Sequence, residues 1–289
     1  MKLFLKRILY FIFLALLLIS FFSFLRSVII KNESKDFKAI YIWGDSQTYR
    51  GIDLKLLSKK TNRKCYSLAI EGAGVYDFMV FTEKVPSYSQ VIVSLSKPAQ
   101  IRNKLIDFNR SGFSFKAIYT LYKNNYSIQE LIEIFKNNKN LLFSSYSSLY
   151  PYNDSIIFSE PLSIFREGYK TVPNYLLDKQ NIYLEGIKKL KEKKCKIIFI
   201  EFPFHSILRE IEDKSPIKVK TQNFNKRVIK LFDRINIDTF DLNNNKQKMH
   251  DLTHMNELGA KEVSESLFKI MNSISRKEKV DFLVFRVKN

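Results

Sequence analysis

The stretch Lys38-Ala39-Ile40-Tyr41-Ile42-Trp43-Gly44-Asp45-Ser46-Gln47 begins the part of the chain that we expect to fold into a domain. Residues 38–43 have the length and apolar density of a buried β-strand, and Gly44 ends the run. Glycine permits a tight turn after a strand. The stretch therefore predicts that the Ser46 hydroxyl is presented at the carboxyl edge of a sheet. By itself the motif is equally consistent with a helix cap, because Asp and Ser are favoured at helix N-termini.

Helical and strand-like segments alternate along the rest of the chain. Apolar runs punctuated by glycine or proline predict strands, and amphipathic stretches predict helices. The predicted strands are 65–70, 90–95, 196–203 and 238–242, and the predicted helices are 53–60, 175–194 and 224–235. This alternation predicts an α/β fold with a mostly parallel sheet covered by helices, whose functional loops lie at the carboxyl ends of the strands.

The chain has 289 residues and 45% hydrophobic content, which suits one globular domain. The predicted division is a cytoplasmic tail and anchor at 1–31, a polar linker at 32–37, a domain at 38–275 and a C-terminal tail at 276–289. The domain carries a long aromatic-rich insertion at about 99–174, between the third and fourth strands.

Residues 8–25 form an apolar stretch without a charge, long enough to cross a bilayer as a helix. Lys2, Lys6 and Arg7 precede it, and no convincing cleavage site follows. We therefore expect an uncleaved signal anchor with the short amino tail inside and the domain outside. Basic residues after the stretch weaken the charge asymmetry on which this orientation depends.

The formal net charge is +19, yet no nucleic-acid recognition motif is evident and the lysines are spread along the chain. We therefore expect no nucleic-acid partner. Attraction to anionic lipid or to an acidic envelope polymer is compatible with the charge.

Cys65 and Cys195 each begin an apolar run, which is typical of buried thiols, and we expect no disulfide between them.

Asp251 and His254 are three residues apart, so one turn can bring the carboxylate to one imidazole nitrogen while the other faces Ser46. A serine hydroxyl needs such a base, and the base needs an orienting group. His250 has no comparably spaced carboxylate partner, and His205 follows the fourth strand, where it could line a cleft. Metal binding by Asp251, His250 and His254 lacks matching ligand spacing elsewhere, so no metal site is predicted.

At these residues the chain resembles the SGNH/GDSL hydrolase superfamily, especially its membrane-anchored bacterial members linked with envelope polysaccharide modification. The resemblance covers most of residues 38–275. Gly44-Asp45-Ser46 is similar to the nucleophile block, Gly72 to the glycine block after the second strand, and Asp251-Leu252-Thr253-His254 to the terminal block. The family's Gly-x-Asn-Asp block would fall near residues 96–99, where no asparagine is present.

The resemblance implies that Ser46 is the nucleophile, His254 the general base and acid, and Asp251 its orienter. Backbone donors at Ser46 and Gly72 would form the oxyanion hole, for which one donor contributes on the order of 3 kcal/mol. Without the family's asparagine, the oxyanion hole either contains only these two donors or recruits Gln100 or Asn103 from nearby.

The resemblance further implies an extracytoplasmic serine esterase or O-acyltransferase that needs no cofactor. Its partners would be an acyl donor, a glycan or acylated glycan, the membrane and a multipass acyltransferase. Further candidate substrate-binding residues are Tyr146, Tyr150, Tyr152 and His205, although the aromatic rings are also explained by packing. The alternative is a catalytically degenerate glycan-binding or assembly protein on the same fold.

Overall fold

A computed structural model describes residues 38–69, 71, 73–95, 148–152, 176–232, 235–242, 248–272 and 280–287, with isolated residues between 6 and 21. The chain divides into two compact units. Every strand and helix described below belongs to the unit made of Phe37–Phe108 and Phe143–Asn289. The isolated residues between 6 and 21 belong to the other unit, and they are helical.

The described residues contain a six-stranded sheet in the order β2-β1-β3-β4-β6-β5, and every neighbouring pair is parallel. Parallel strands need crossover connections, which helices supply here. The strands are β1 (Ile40–Trp43), β2 (Cys65–Ser67), β3 (Gln90–Ser94), β4 (Lys196–Glu201), β5 (Ile235–Leu242) and β6 (Val280–Val287).

Helices connect these strands and cover both faces of the sheet. They are α1 (Ser46–Gly51), α2 (Leu54–Thr61), α3 (Val75–Lys84), α4 (Leu176–Glu192), α5 (Ser206–Asp213), α6 (Pro216–Ile229) and α7 (Glu257–Met271). α7 packs against α1, α2 and β5, whereas α4 packs against α3, α6 and β4. The result is a three-layer α/β arrangement consistent with a flavodoxin-like fold.

Successive side chains of β1 point to opposite faces of the sheet and therefore contribute to two different halves of the core. Ile40 and Ile42 join an aliphatic cluster with side chains of α2 and α7. Trp43 turns to the opposite face, where its ring lies 4.7 Å from Phe78 and 5.4 Å from Tyr183 between centroids. Such aromatic pairs contribute about 0.5–1.5 kcal/mol each beyond their buried area. The period of two in a buried strand thus fixes α3 and α4 to one face and α2 and α7 to the other.

The α/β alternation that the sequence predicts is confirmed, with two corrections. The predicted helix 224–235 was wrong in its bounds, because α6 spans Pro216–Ile229 and β5 already begins at Ile235. The predicted tail at 276–289 missed β6, which enters the sheet between β4 and β5. The buried charge of Asp281 interrupts the apolar run of β6 near its start and masks the strand in the sequence.

β1 lies between β2 and β3, so the chain crosses from one side of β1 to the other at this point. Ligands of open parallel sheets bind at the carboxyl ends of strands where such a switch occurs. Ser46 begins the helix that follows β1 and therefore stands at this position.

In the described part of the chain no helix has the length and apolarity of a membrane span.

Gly44→Ala should destabilise the protein, because a Cβ at Gly44 would lie 2.8 Å from the Ser94 Cβ and would overlap the Thr48 side chain. Crowding of this kind typically costs about 1–3 kcal/mol. Urea unfolding of the variant should show that loss, with Ser46→Ala as the control two residues away. Equal unfolding midpoints for the two variants would contradict the proposed close approach.

Candidate functional site

Asp45, and not Ser46, caps helix α1. The Asp45 side chain is fully buried and accepts a hydrogen bond from the Gln47 N–H at 3.1 Å. Because Asp45 satisfies the exposed donor at the helix start, capping does not explain the serine beside it. Ser46 is the first residue of α1 and is half-buried. The helix-cap interpretation of the motif therefore applies to the aspartate and leaves the serine hydroxyl without a capping role.

Asp251 and His254 form a hydrogen-bonded pair in the loop before α7. The distance from His254 Nδ1 to Asp251 Oδ2 is 2.7 Å. The other carboxylate oxygen of Asp251 accepts the backbone N–H groups of Thr253 at 2.7 Å and His254 at 2.8 Å. The Thr253 hydroxyl lies 3.0 Å from the same oxygen. These bonds fix the imidazole orientation, as the predicted spacing required.

Burial alone would raise the pKa of Asp251, but the hydrogen bond and charge of His254 and the backbone donors of Thr253 outweigh it, so its pKa is lowered. Asp251 therefore remains a carboxylate near neutral pH. The second imidazole nitrogen, His254 Nε2, is buried and has no hydrogen-bond partner in the described part of the chain. A buried polar atom without a partner is unusual in native proteins, and a catalytic role is one of its explanations.

A hydrogen bond joins this loop to the helix that carries the serine. Gln47 Nε2 donates to the Thr253 carbonyl at 2.9 Å, and Gln47 is almost fully buried. Ser46 and His254 each lie one residue from this bond. No hydrogen bond joins Ser46 to His254 Nε2 in the described residues. Catalytic hydrogen bonds are often long in unliganded proteins and tighten when substrate binds.

Arg50 lies one helical turn after Ser46 and connects two loops to α1. Its guanidinium forms an ion pair with Glu71 at 2.5 Å. It also donates to the Ser148 hydroxyl at 2.6 Å and to the Ser148 carbonyl at 2.9 Å. Glu71 immediately precedes Gly72, so Arg50 holds the loop from which the predicted oxyanion donor comes.

Three of the predicted residues near the site lie outside the described part of the chain. They are Gly72, Gln100 and Asn103, for which the oxyanion-hole roles remain predictions. Tyr146, a predicted substrate-binding residue, also lies outside it.

Tyr150 lies between two side chains of the site. The His250 ring is parallel to it at a centroid distance of 3.8 Å, and the Arg50 guanidinium carbon lies 4.3 Å from its centroid. Since a stacked ring leaves no room for a guanidinium on the same face, the two groups cover opposite faces. The predicted stacking of a sugar on Tyr150 would need one of those faces, so packing explains this ring better. Tyr152 is 39% exposed, and its role in substrate binding stays a prediction.

The other two histidines have distinct surroundings. His205 is buried and caps α5, with its Nδ1 accepting the Ile207 N–H at 3.4 Å. Its backbone N–H donates to Leu252 at 3.0 Å, so it braces the loop that holds His254. Burial lowers the pKa of His250. The charge of Asp251 opposes this shift in part, and the charge of His254 adds to it. Direct substrate binding by His205 stays a prediction.

A cleft of about 470 Å³ lies beside the loop, where β4 ends between α5 and α6. This volume is typical of small-molecule sites. Phe204 lines it and also packs against Leu252 of the loop. Asn225 Nδ2 donates to Glu201 at 3.3 Å, whereas its Oδ1 is buried without a hydrogen-bond partner in the described residues. The polar and charged lining residues are Glu201, Arg209, Glu212, Asp213, Lys218, Thr221, Gln222 and Asn225.

Sequence patterns missed three residues that organise the site: Gln47, Arg50 and Asn225. The spacing of four residues from Ser46 could have placed Arg50 on the serine's helix face. Nothing local in the sequence indicates the long-range bond of Gln47 or the cleft at Asn225. Within the described ranges, no group of three or more His, Cys, Asp or Glu residues could hold a metal ion.

A comparison with protein-family models found no matching family, and a comparison with curated proteins found no similar sequence.

Asp251→Asn should remove a pH-dependent part of the stability. The pKa of Asp251 is lower in the folded protein, so its carboxylate stabilises the fold above the unfolded pKa of about 3.9, and this contribution is lost as pH falls through the folded pKa. The difference in unfolding free energy between wild type and variant should therefore shrink on acidification from pH 7 to about pH 3. Urea unfolding across this range measures it, with Glu185→Gln at an exposed position of α4 as a control for net charge. A constant difference would contradict the assignment.

Proposed function

We propose that the chain is a serine esterase or O-acyltransferase that acts on an envelope polysaccharide through an acyl-serine intermediate. One observation carries the proposal. Asp251 orients the imidazole of His254, whose buried Nε2 has no hydrogen-bond partner among the described residues, in a loop that Gln47 ties to the serine helix. The motif resemblance to SGNH/GDSL hydrolases supplies the reaction class.

In the proposed reaction, His254 Nε2 accepts the Ser46 proton while Ser46 Oγ attacks the acyl carbonyl carbon. The resulting oxyanion is held by the backbone N–H groups of Ser46 and Gly72. Its collapse breaks the bond to the leaving alkoxide, which takes the proton from His254, and leaves acyl-Ser46. Asp251 stabilises the imidazolium and fixes its tautomer throughout.

The second half of the reaction transfers the acyl group from Ser46. His254 removes a proton from the attacking hydroxyl, and the serine oxygen recovers a proton as the new ester or acid leaves. Water as the attacking molecule makes the protein an esterase, and a polysaccharide hydroxyl makes it a transferase. The same residues serve both outcomes, and acetyl is the acyl group that the resemblance favours.

Ser46→Ala and His254→Ala should abolish most activity, and Asp251→Asn should lower turnover by about 10⁴-fold, the loss in a comparable triad. The assay measures acetate release and acetyl transfer to glycan oligosaccharides, together with mass analysis of Ser46 after exposure to an activated acetyl ester. Folded Ser46→Ala protein with wild-type rates in both assays would refute the mechanism.

An inactive wild type has a different meaning. If the folded wild-type chain releases no acetate and forms no acyl-serine but still binds the glycan, the alternative of a degenerate glycan-binding protein is correct. Arg50→Lys is a useful comparison, because it keeps the charge beside Glu71 but loses the bidentate geometry of arginine.

The glycan is proposed to occupy the cleft at the end of β4. Its mixture of carboxylate, amide and basic groups suits a ligand rich in hydroxyls, and buried Asn225 Oδ1 is an acceptor without a partner in the described residues. The Phe204 contact with Leu252 brings the cleft wall against the loop of His254.

Asn225→Ala should lower glycan binding and transfer, because it removes that acceptor, while hydrolysis of a small acetyl ester stays unchanged. Binding to acetylated oligosaccharides by calorimetry and ester turnover measure the two effects. Asn223→Ala, which removes an exposed amide two residues away on the same helix α6, is the matched control. Equal losses in both assays would indicate a structural role, and no loss in either would exclude the cleft.

The chain is further proposed to be held in the membrane by residues 8–25, with the domain on the extracytoplasmic side. Seven helical residues described in this stretch are large, apolar and 48–74% exposed: Tyr10, Phe11, Phe13, Leu14, Leu17, Leu18 and Phe21. An exposed apolar surface of this kind needs a lipid or protein covering. A multipass acyltransferase in the same membrane would supply the acyl donor.

Protease added to spheroplasts should therefore digest the domain, while a cytoplasmic control protein survives. The mature chain should keep its amino terminus, because no cleavage site follows the apolar stretch. Complete protection of the domain, or a mature chain that begins after residue 25, would contradict this arrangement.

A further inference from the structure

The first residues of four adjacent strands are aligned in one row. Ile40 of β1 pairs with Cys65 of β2 and with Gln90 of β3, and Gln90 pairs with Lys196 of β4. Strands in a sheet lie about 4.8 Å apart. The residues that precede these starts therefore form a band across one edge of the sheet, opposite the edge that carries Ser46.

This band is basic and exposed. Lys38 precedes β1, Lys64 precedes β2, Lys194 precedes β4, and Lys59 lies in the last turn of the helix that leads to β2; all four are exposed. Tyr88 precedes β3 and is 65% exposed. We call these five residues the basic face. None of the described residues that immediately precede the four strands is acidic.

Acidic groups near the band are few among the described residues. Glu83 of α3 pairs with Lys189 at 2.9 Å and is thereby neutralised. Glu192, the last residue of α4, is exposed and lies two residues before Lys194. At the opposite edge, Glu257 is exposed near the loop of His254, whereas Asp213 pairs with Lys218 at 2.9 Å. The carboxyl edge therefore carries groups of both signs, whereas basic groups predominate along the basic face.

Helix dipoles explain only part of this distribution. Cations are favoured in the last turn of a helix, where Lys59 lies, because the carbonyl end of the helix is negative. Lys38 and Lys64 precede strands and gain nothing from such a dipole. The outward-facing Tyr88 is uncharged and gains nothing from a helix dipole either. The positions of Lys38, Lys64 and Tyr88 therefore need another explanation.

Tyr88 is held outward by its backbone. Its φ is 63°, which a bulky residue rarely adopts, and its N–H donates to the Lys193 carbonyl at 2.8 Å. Lys194 Nζ lies 5.8 Å from the ring centroid. Tyrosine is enriched at membrane interfaces, where its apolar ring and polar hydroxyl both find suitable surroundings.

We propose that the basic face docks on an anionic lipid bilayer, with Tyr88 at the level of the headgroups and the lysines against lipid phosphates. Lysines close to an anionic bilayer are attracted strongly within a Debye length. The proposed anchor at residues 8–25 leads into β1 from this edge, since Lys38 precedes it. The carboxyl edge with Ser46 then points away from the bilayer, toward a polymer outside it.

The test introduces one tryptophan into the full chain and measures its fluorescence. The chain is reconstituted in phosphatidylcholine vesicles that contain about 30% phosphatidylglycerol, which makes the bilayer surface negative. The variants are Tyr88→Trp on the basic face and Leu258→Trp at the opposite edge, where Leu258 is 41% exposed. Trp43, the one native tryptophan, is buried and contributes the same emission to both. Lipids brominated near the headgroup should quench the Tyr88→Trp variant and leave the Leu258→Trp variant unchanged.

Charge variants then test the lysines. Lys38→Glu, Lys59→Glu and Lys64→Glu together should abolish the quenching of Tyr88→Trp. The matched triple variant carries Lys55→Glu, Lys220→Glu and Lys261→Glu, which change the net charge equally and lie in other exposed parts of α2, α6 and α7. It should keep the quenching. Circular dichroism confirms that both variants fold.

Several outcomes overturn the proposal. If the chain floats with vesicles but Tyr88→Trp is not quenched, the anchor is supported and the docking face is wrong. Equal effects of the two charge variants would show attraction by net charge alone. If Tyr88→Trp is not quenched and the three lysines instead govern binding to soluble polygalacturonate, the face binds an acidic polymer and the bilayer is not its partner.

Discussion

The hydrogen bond from Gln47 to the Thr253 carbonyl joins two parts of the chain that are 206 residues apart. Gln47 is almost fully buried, so loss of this bond would leave a buried amide without a partner, at a cost of about 1–3 kcal/mol. The bond ties the serine helix to the loop of Asp251 and His254. The packing of α7 against α1 holds the same two segments together.

The parallel sheet gives its two edges different chemistry. Every described strand runs in the same direction, so all residues that follow strands gather at one edge and all residues that precede strands gather at the other. Asp45 and the cleft beside Glu201 belong to the first edge, and Lys38 and Lys64 to the second. The proposed reaction and the proposed bilayer contact therefore use residues at opposite edges of the same sheet.

Aromatic and basic groups around the site serve mainly to hold loops together. Arg50 contacts Glu71, Ser148 and the Tyr150 ring, and thereby fixes two loops against α1. Tyr150 is in turn covered by His250. Since the insertion supplies Ser148 and Tyr150, it helps to build the site wall, and its aromatic composition reflects packing at these positions as well as any contact with substrate.

The sequence by itself determined the α/β class, the strand before Ser46 and the short-range pairing of Asp251 with His254, because each depends on residues within one strand or one turn. Only the tertiary structure decided that β6 lies between β4 and β5 and that Gln47 reaches Thr253. These features depend on which distant segments pair and pack. The local pattern of apolar residues does not specify which strands become neighbours, because many different partners can bury the same apolar strand.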